Sequence, residues 1–293
     1  MAAEPTRLAF SDSFMSIATP VHVVSLGAGV QSSALCFMAA LGEIVPMPVA
    51  AIFADTGSEP SEVYDWVDWM SERLPFPVLR VKRGGDSLEK FGCRMKTMPD
   101  GRKFPKCYIP WFTRGADGAT GMVTRRSCTK EYKIRPVQKA ARRVSGITRG
   151  QTEVGCVQWI GLSREEVWRV KDSRVGWQRN RWPLIEMDMS RANCLFWMES
   201  HGYPRPPRSA CVFCPFRSDS EWRYLAARAP SDFRRAVEFE TAANAARRSD
   251  FDRQSRLFLH RSCVALADVD FRSEDEKGQL DLWPAECEGV CGV

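Results

Sequence analysis

From Val21 to Arg83 the chain alternates apolar runs of strand length with segments of helical period, and no other feature restricts its fold as tightly. HVVSL reads as a buried strand, SSALCFMAALG as a helix closed by Gly42, and VAAIFADTG as a second strand and turn. PSEVYDWVDWMSERL is amphipathic at helical spacing, and FPVLRVKR reads as a third strand. Strands separated by helices pair in parallel through right-handed crossovers, so the order predicts an α/β fold with a doubly wound parallel sheet. Trp66 and Trp69 share a helical face and are assigned to the core.

The 293 residues, 44% of them apolar, suffice for one sizeable core or two unequal ones. Three regions are expected: an N-terminal arm over 1–19, a main domain over 20–217, and a helical C-terminal subdomain with a cysteine-containing tail over 218–293. In the last of these, DSEWRYLAARAPSDFRRAVEFETAANAARR predicts two helices split at Pro230, and FLHRSCVALADVDF returns to the main body with His260 in a structural role. No apolar run approaches the ~20 residues of a membrane span, and MAAEPTRLAF lacks a charged segment followed by an apolar one, so a cytoplasmic location without a membrane partner is expected. The net charge of +6 permits a polyanionic partner without requiring one.

SLGAGVQSS links the first strand to the first helix. There, free backbone N–H groups and the helix dipole face the top of the sheet, as an anion site requires. Gly27 and Gly29 allow close approach, while Ser32 and Ser33 add hydroxyl donors. A plain connecting turn has the same composition, so the loop alone does not decide between the two. Asp55 ends the second strand beside the crevice where open sheets bind ligands. There it can accept hydrogen bonds from a ribose or adenine, or face Mg2+; the alternative is a simple helix start, with Ser58 or Ser61 as cap and Glu62 in the first turn.

Eleven cysteines without an export signal point to thiols, metal ligands or redox chemistry. Cys128, Cys211 and Cys214 form a one-plus-two arrangement in which the C-x-x-C turn offers two thiolates to one centre and Pro215 limits its freedom. Zinc closed by a fourth thiolate competes with an iron–sulfur site; Cys93, Cys107, Cys156, Cys194 and the tail cysteines are candidates for that ligand. Ahead of Cys128, residues 84–124, which contain Cys93 and Cys107, read as a mobile basic crossover. The tail AECEGVCGV carries Cys287 and Cys291, either as working thiols that swing over the site or as idle ones.

Taken together, these motifs resemble a known family. S-x-G-x-G-x-x-S-S is similar to the pyrophosphate (PP) loop S-G-G-x-D-S of the ATP pyrophosphatases, with Gln31 where many members carry Asp. FADTGSEPSEVYDWV resembles the D-T-G-x-x-x-P-E-x-Y segment of phosphoadenylylsulfate (PAPS) reductase-like proteins, with Asp55, Thr56, Gly57, Glu62 and Tyr64 in step. Gly161 to Arg169 and Pro183-Leu184 resemble their G-x-S-x-x-E-x-x-R and P-L segments. The 83 positions from Cys128 to Cys211, with Lys130, Lys133, Arg135 and Pro136 after the first cysteine, resemble the iron–sulfur adenylylsulfate reductases. The resemblance spans Val21 to Trp222.

It implies an adenine nucleotide alpha hydrolase-like fold that binds ATP and Mg2+ through Ser25, Gly27, Gly29, Gln31, Ser32, Ser33, Asp55, Thr56 and Arg164. It implies a 4Fe-4S cluster on Cys128, Cys211 and Cys214, with Ser127 in place of a further cysteine and one iron left open, and catalytic roles for Asp55, Cys287 and Cys291. The activity implied is that of an ATP pyrophosphatase which adenylates an acceptor oxygen for sulfur transfer. Nearest are the sulfurtransferases of DNA phosphorothioation, whose acceptor is a DNA backbone phosphate, whose sulfur donor is a cysteine desulfurase, and which work with other modification-system proteins. A PAPS or adenylylsulfate reductase using a tail cysteine, a tRNA thiolase, and a zinc-containing nucleic-acid-binding module are the alternatives.

Overall fold

The computed structural model describes residues 19–272 except 85–86, 92, 98, 102, 116, 124–125 and 252–255. The first elements are β1 (Val21–Leu26), α1 (Val30–Ala40), β2 (Ala50–Ala54), α2 (Ser61–Ser71) and β3 (Val78–Val81), the order expected from the hydrophobic pattern. A short helix α3 (Leu88–Phe91) and two antiparallel hairpins follow, β4 (Cys93–Thr97) with β5 (Lys103–Cys107) and β6 (Trp111–Arg114) with β7 (Thr120–Val123). The segment expected to be a plain crossover loop therefore carries its own strands. A π-helical turn over Thr129–Ile134 runs into α4 (Arg135–Val144), and then come β8 (Cys156–Ile160), a 3-10 turn over Arg164–Arg169, and β9 (Gln178–Arg181). Helices α5 (Pro183–Glu186), α6 (Arg191–Ser200), α7 (Asp219–Arg228) and α8 (Pro230–Phe251) complete the described chain, α7 and α8 meeting at Pro230 as predicted.

The fold is α/β, with a five-stranded parallel sheet in the order β3-β2-β1-β8-β9. The chain winds outward through β2 and β3, then crosses to the other side of β1, which leaves a switch point between β1 and β8. Alternation along the strands sends Val24, Leu26, Phe53, Val157 and Trp159 to one face, covered by α1, α2 and α6. Val23, Ile52, Ala54 and Cys156 point to the opposite face, beneath Val137, Ala140 and Ala141 of α4. Trp66 is 6% exposed and stacks on Trp69 at 4.8 Å, which puts both in the packing around the first core.

A further core gathers Tyr108, Trp111 and Tyr132 from the crossover with Phe213, Trp222, Leu225 and Phe239. Phe213 stacks on Phe239 at 4.0 Å, joining the C-x-x-C turn to α8. The return segment pairs Phe258 with Phe112 as an isolated antiparallel bridge. His260 is buried between Ser262 and Asp219, in keeping with the structural role expected of it. No helix among the described residues is long and apolar enough to cross a membrane.

Candidate active site

At the end of β1 the chain turns through Gly27, Ala28 at φ +60° and Gly29 into α1, whose first turn carries no acidic residue and no side-chain cap. The free amides of that turn are left for an anion. Ser32 shapes the loop from within: its Oγ accepts from the Gly27 amide at 3.2 Å and donates to the Gly29 carbonyl at 3.3 Å. The Ser209 hydroxyl donates to the Gly27 carbonyl, so the segment before the C-x-x-C turn braces the loop. Ser33 departs from the expectation. It is fully buried, and its hydroxyl accepts from Trp66 Nε1 at 2.9 Å, because one residue of helical advance turns it from the crevice into the core.

Asp55 and Arg164 also depart from it. One Asp55 oxygen accepts from the Gly57 amide at 2.7 Å and from Tyr64 Oη at 2.9 Å, and the other meets Lys82 Nζ at 3.1 Å. The carboxylate thus closes the turn after β2 and is tied to protein partners, off the large cavity described next. Those contacts and burial push the Tyr64 hydroxyl up, burial first and the Asp55 hydrogen bond second. Arg164 pairs with Asp188 at 3.1 Å on an exposed face. In a 3-10 turn residues three apart share a face, and the inward face here holds Glu166 and Arg169, paired with each other. Glu166 also accepts from Gln31 Nε2 at 3.1 Å.

A cavity of about 1010 Å³ opens at the switch point, lined by Ser25, Gly27, Gly29, Gln31 and Ser32. The π-helical turn adds Thr129, Lys130 and Lys133, and the far wall is Arg169, Arg174, Arg191 and Arg208. Eight Lys or Arg side chains line it against three carboxylates, Glu165, Glu166 and Asp172, so a bound polyanion is favoured. The volume is at the upper end of the ~300–1000 Å³ usual for a small-molecule site, leaving room for a nucleotide and a second reactant.

Cys128, Cys211 and Cys214 line one adjoining pocket with Thr56, Phe216, Arg126 and Lys133. Arg126, Thr129 and Lys133 line both spaces, so they form a shared wall. The turn is held by main chain: the Cys214 amide donates to the Cys211 carbonyl at 3.0 Å, and the Val212 amide to the Ser58 carbonyl at 2.8 Å. Buried Arg217 donates to the carbonyls of Ala210 at 2.8 Å and Cys211 at 3.2 Å. Cys128 is placed by its amide bond to the Tyr108 carbonyl at 2.7 Å. The void between these side chains is about 30 Å³, the scale of a water or two.

Glu59, which sequence reasoning missed, stands beside this pocket, 1% exposed. Its Oε1 accepts from Thr56 Oγ1 at 3.1 Å and lies 3.6 Å from Lys133 Nζ and 3.7 Å from Cys211 Sγ. Its Oε2 has no partner among the described residues. Burial, then the Glu59 carboxylate, push the Cys211 thiol up, while Lys133 and the Thr56 hydroxyl oppose them. Two of the fourth-ligand candidates lie elsewhere: Cys156 is buried under α4, and Cys194 is buried in the α1 core with its thiol pushed up to about 12. Cys93 and Cys107 are paired across the first hairpin, with side chains outside the described set. Cys287 and Cys291 also lie outside the described residues. Among those residues, no three Cys, His, Asp or Glu side chains converge as ligands of a single ion.

No protein-family model matches the chain, and no curated protein does. Among solved structures, the chain is similar to the phosphoadenylyl-sulfate (PAPS) reductase from Candida auris in its phosphate complex. The identity is 15%, 65% of this chain and 77% of that one are covered, and the TM-score is 0.41.

Proposed function

We propose that this protein is an ATP pyrophosphatase of the PP-loop class that activates an acceptor oxygen for sulfur transfer, with a DNA backbone phosphate as the acceptor. The observation that carries the reading is the shared wall: three thiols stand behind Arg126, Thr129 and Lys133, whose other side faces the cationic cavity under the phosphate loop. Sulfur held at the thiols would then stand next to phosphate bound in the cavity.

ATP would place its phosphates on the free amides at the start of α1, with Mg2+ held chiefly by the phosphates themselves. An acceptor oxygen attacks the α-phosphorus; the bond to the bridging oxygen breaks and pyrophosphate leaves. Lys130, Lys133, Arg169 and Arg191 line the space where that charge develops and would neutralise it. The acceptor now carries AMP as a leaving group. Sulfur from a cysteine desulfurase arrives as a persulfide; a two-electron thiol reductant, itself oxidised to a disulfide, releases it as hydrosulfide, which attacks the acceptor phosphorus from the side of the thiol pocket. A phosphorus–sulfur bond forms, and AMP departs with the acceptor's former oxygen.

Three thiols around one void match the donor chemistry of an iron–sulfur cluster. Cys128, Cys211 and Cys214 would hold it, and seating it requires the present void to widen. When bound, such a cluster would supply a site for soft sulfur chemistry.

The test is anaerobic purification with iron and acid-labile sulfide analysis of the wild type and Cys211→Ser, followed by assays of pyrophosphate release from ATP with DNA and with tRNA. Iron and sulfide in near-equal amounts, lost in the variant, together with DNA-stimulated pyrophosphate release, is the expected result. Thiol-dependent sulfite release from a sulfonucleotide without ATP turnover would replace the reading by a reductase. Zinc with neither activity would replace it by a binding module.

A further inference from the structure

The wall of the cavity opposite the phosphate loop has an unusual polarity. Gln158 on β8 and Gln178 and Asn180 on β9 project to the same face, with Gln158 and Asn180 in register. Gln178 Nε2 donates to Asn180 Oδ1 at 3.0 Å, and Asn180 Nδ2 donates to the Lys171 carbonyl at 2.9 Å. The amide chain is thereby fixed, and Asn180's acceptor is in use. Gln158 and Gln178 are 8% and 6% exposed, yet the Oε1 of each is buried without a hydrogen-bond partner among the described residues. Two buried carbonyl acceptors without donors are costly, and a bound group bearing N–H or O–H would relieve that cost. Phosphate oxygens only accept, so this wall does not suit a phosphate.

A second feature lies on the 3-10 turn whose Glu165, Glu166 and Arg169 line the cavity. Trp168 is 65% exposed, on the 3-10 turn over Arg164–Arg169. Three-residue spacing puts it on the face of Glu165, which lines the cavity, and one residue before the inward Arg169. An exposed indole beside a cationic cavity is suited to stack a base while lysines and arginines hold the strand.

We propose that the carboxamide wall holds an unpaired base of the acceptor strand, which passes Trp168 and presents its N–H donors to Gln158 and Gln178. The proposal rests on the reading of nucleic acid as acceptor and adds the part of it that the protein recognises. A base inside a duplex cannot reach this wall, so the strand enters single-stranded or with the base turned out. The charge of the cavity and its volume beyond that of one nucleotide favour a strand over a second free nucleotide.

The test compares a short single-stranded DNA with an abasic strand of equal length, by fluorescence anisotropy at fixed salt, and measures Mg-ATP binding in parallel. The wild type should bind the base-bearing strand at least about tenfold more tightly. Gln158→Met with Gln178→Met should remove about tenfold of that affinity, as expected for two hydrogen bonds, and leave the abasic strand and ATP unchanged. Trp168→Ala, at an exposed site that does not threaten folding, should lose several-fold with the same selectivity. Equal binding of both strands by the wild type, or unchanged binding by the variants, overturns the proposal while the strand remains the acceptor. Lost ATP affinity in the glutamine variant assigns the wall to the adenosine of ATP and overturns it too. Absence of any strand binding refutes the nucleic-acid acceptor itself, and this inference with it.

Discussion

Replacing Gly161 with alanine adds one methyl group where the chain leaving β8 passes against the phosphate loop. An ideal Cβ there lies 2.8 Å from the Ser32 nitrogen, 2.9 Å from the Ser32 Cα and 3.1 Å from the Gln31 carbonyl carbon. All three are main-chain atoms of the first turn of α1, so no side-chain rotation relieves the contact. The φ of Gly161 lies outside the left-handed region, so alanine carries no conformational penalty of its own and the effect is steric. Overpacking of this kind costs about 1–3 kcal/mol, and at about 2–4 °C per kcal/mol in a domain of this size the melting temperature should fall by about 2–12 °C. The atom pushed hardest is an amide nitrogen proposed to bind phosphate, so Mg-ATP affinity should fall about tenfold, which is about 1.4 kcal/mol. Gly146→Ala is the control: φ is +64° with open space around it, so it costs about 1 kcal/mol of backbone strain and leaves ATP binding alone. Circular dichroism melts and calorimetric ATP titrations read both quantities. An unchanged melt and unchanged ATP affinity in Gly161→Ala would refute the account of how β8 supports the loop.

The neighbouring serines should separate cleanly. Ser33→Ala strands the buried indole N–H of Trp66 and should cost about 1–2 kcal/mol with no change in ATP affinity, whereas Ser32→Ala should weaken ATP several-fold. Arg217→Met removes the donors that hold the Ala210 and Cys211 carbonyls, so iron and sulfide content should drop even though no thiol is touched; full retention would contradict that bracing role. Burial raises the thiols of Cys36 and Cys194, the latter to about 12. In the unfolded chain these thiols ionise near pH ~8.5, so above that pH the folded state binds more protons and the unfolding free energy should fall with rising pH by up to ~1.4 kcal/mol per unit per thiol. Urea melts between pH 8 and 11 should show that decline, and a slope in Cys194→Ala as steep as in the wild type would count against it.

The succession β1, α1, β2, α2, β3 was readable because a buried strand and an amphipathic helix leave different hydrophobic periods in local sequence. The grouping of Cys128 with Cys211 and Cys214 was also readable, from motif and spacing, and the structure lines one pocket with all three. Much of the site was not. Ser32 and Ser33 are alike in sequence, and only the angular step of the helix decides which faces the crevice. Arg164 and Arg169 both carry a cation in the same short segment; the 3-10 turn, tighter than an α-helix, puts the second inside and the first on the surface. Glu59 had no local sign, since its partners Lys133 and Cys211 arrive from distant parts of the chain.

What the sequence by itself determined is the doubly wound sheet, the strand-loop-helix at Gly27–Ser32 and the set of thiols, because each is encoded in residues near one another or in a motif with few alternatives. Only the tertiary structure decided that Asp55 closes a turn, that a cationic cavity and a thiol pocket share a wall, and that Gln158 and Gln178 leave acceptors unmet inside that cavity. Those facts depend on which side chains from remote segments reach one another first, and hydrogen-bond partners and burial are settled only when the strands and crossovers have packed.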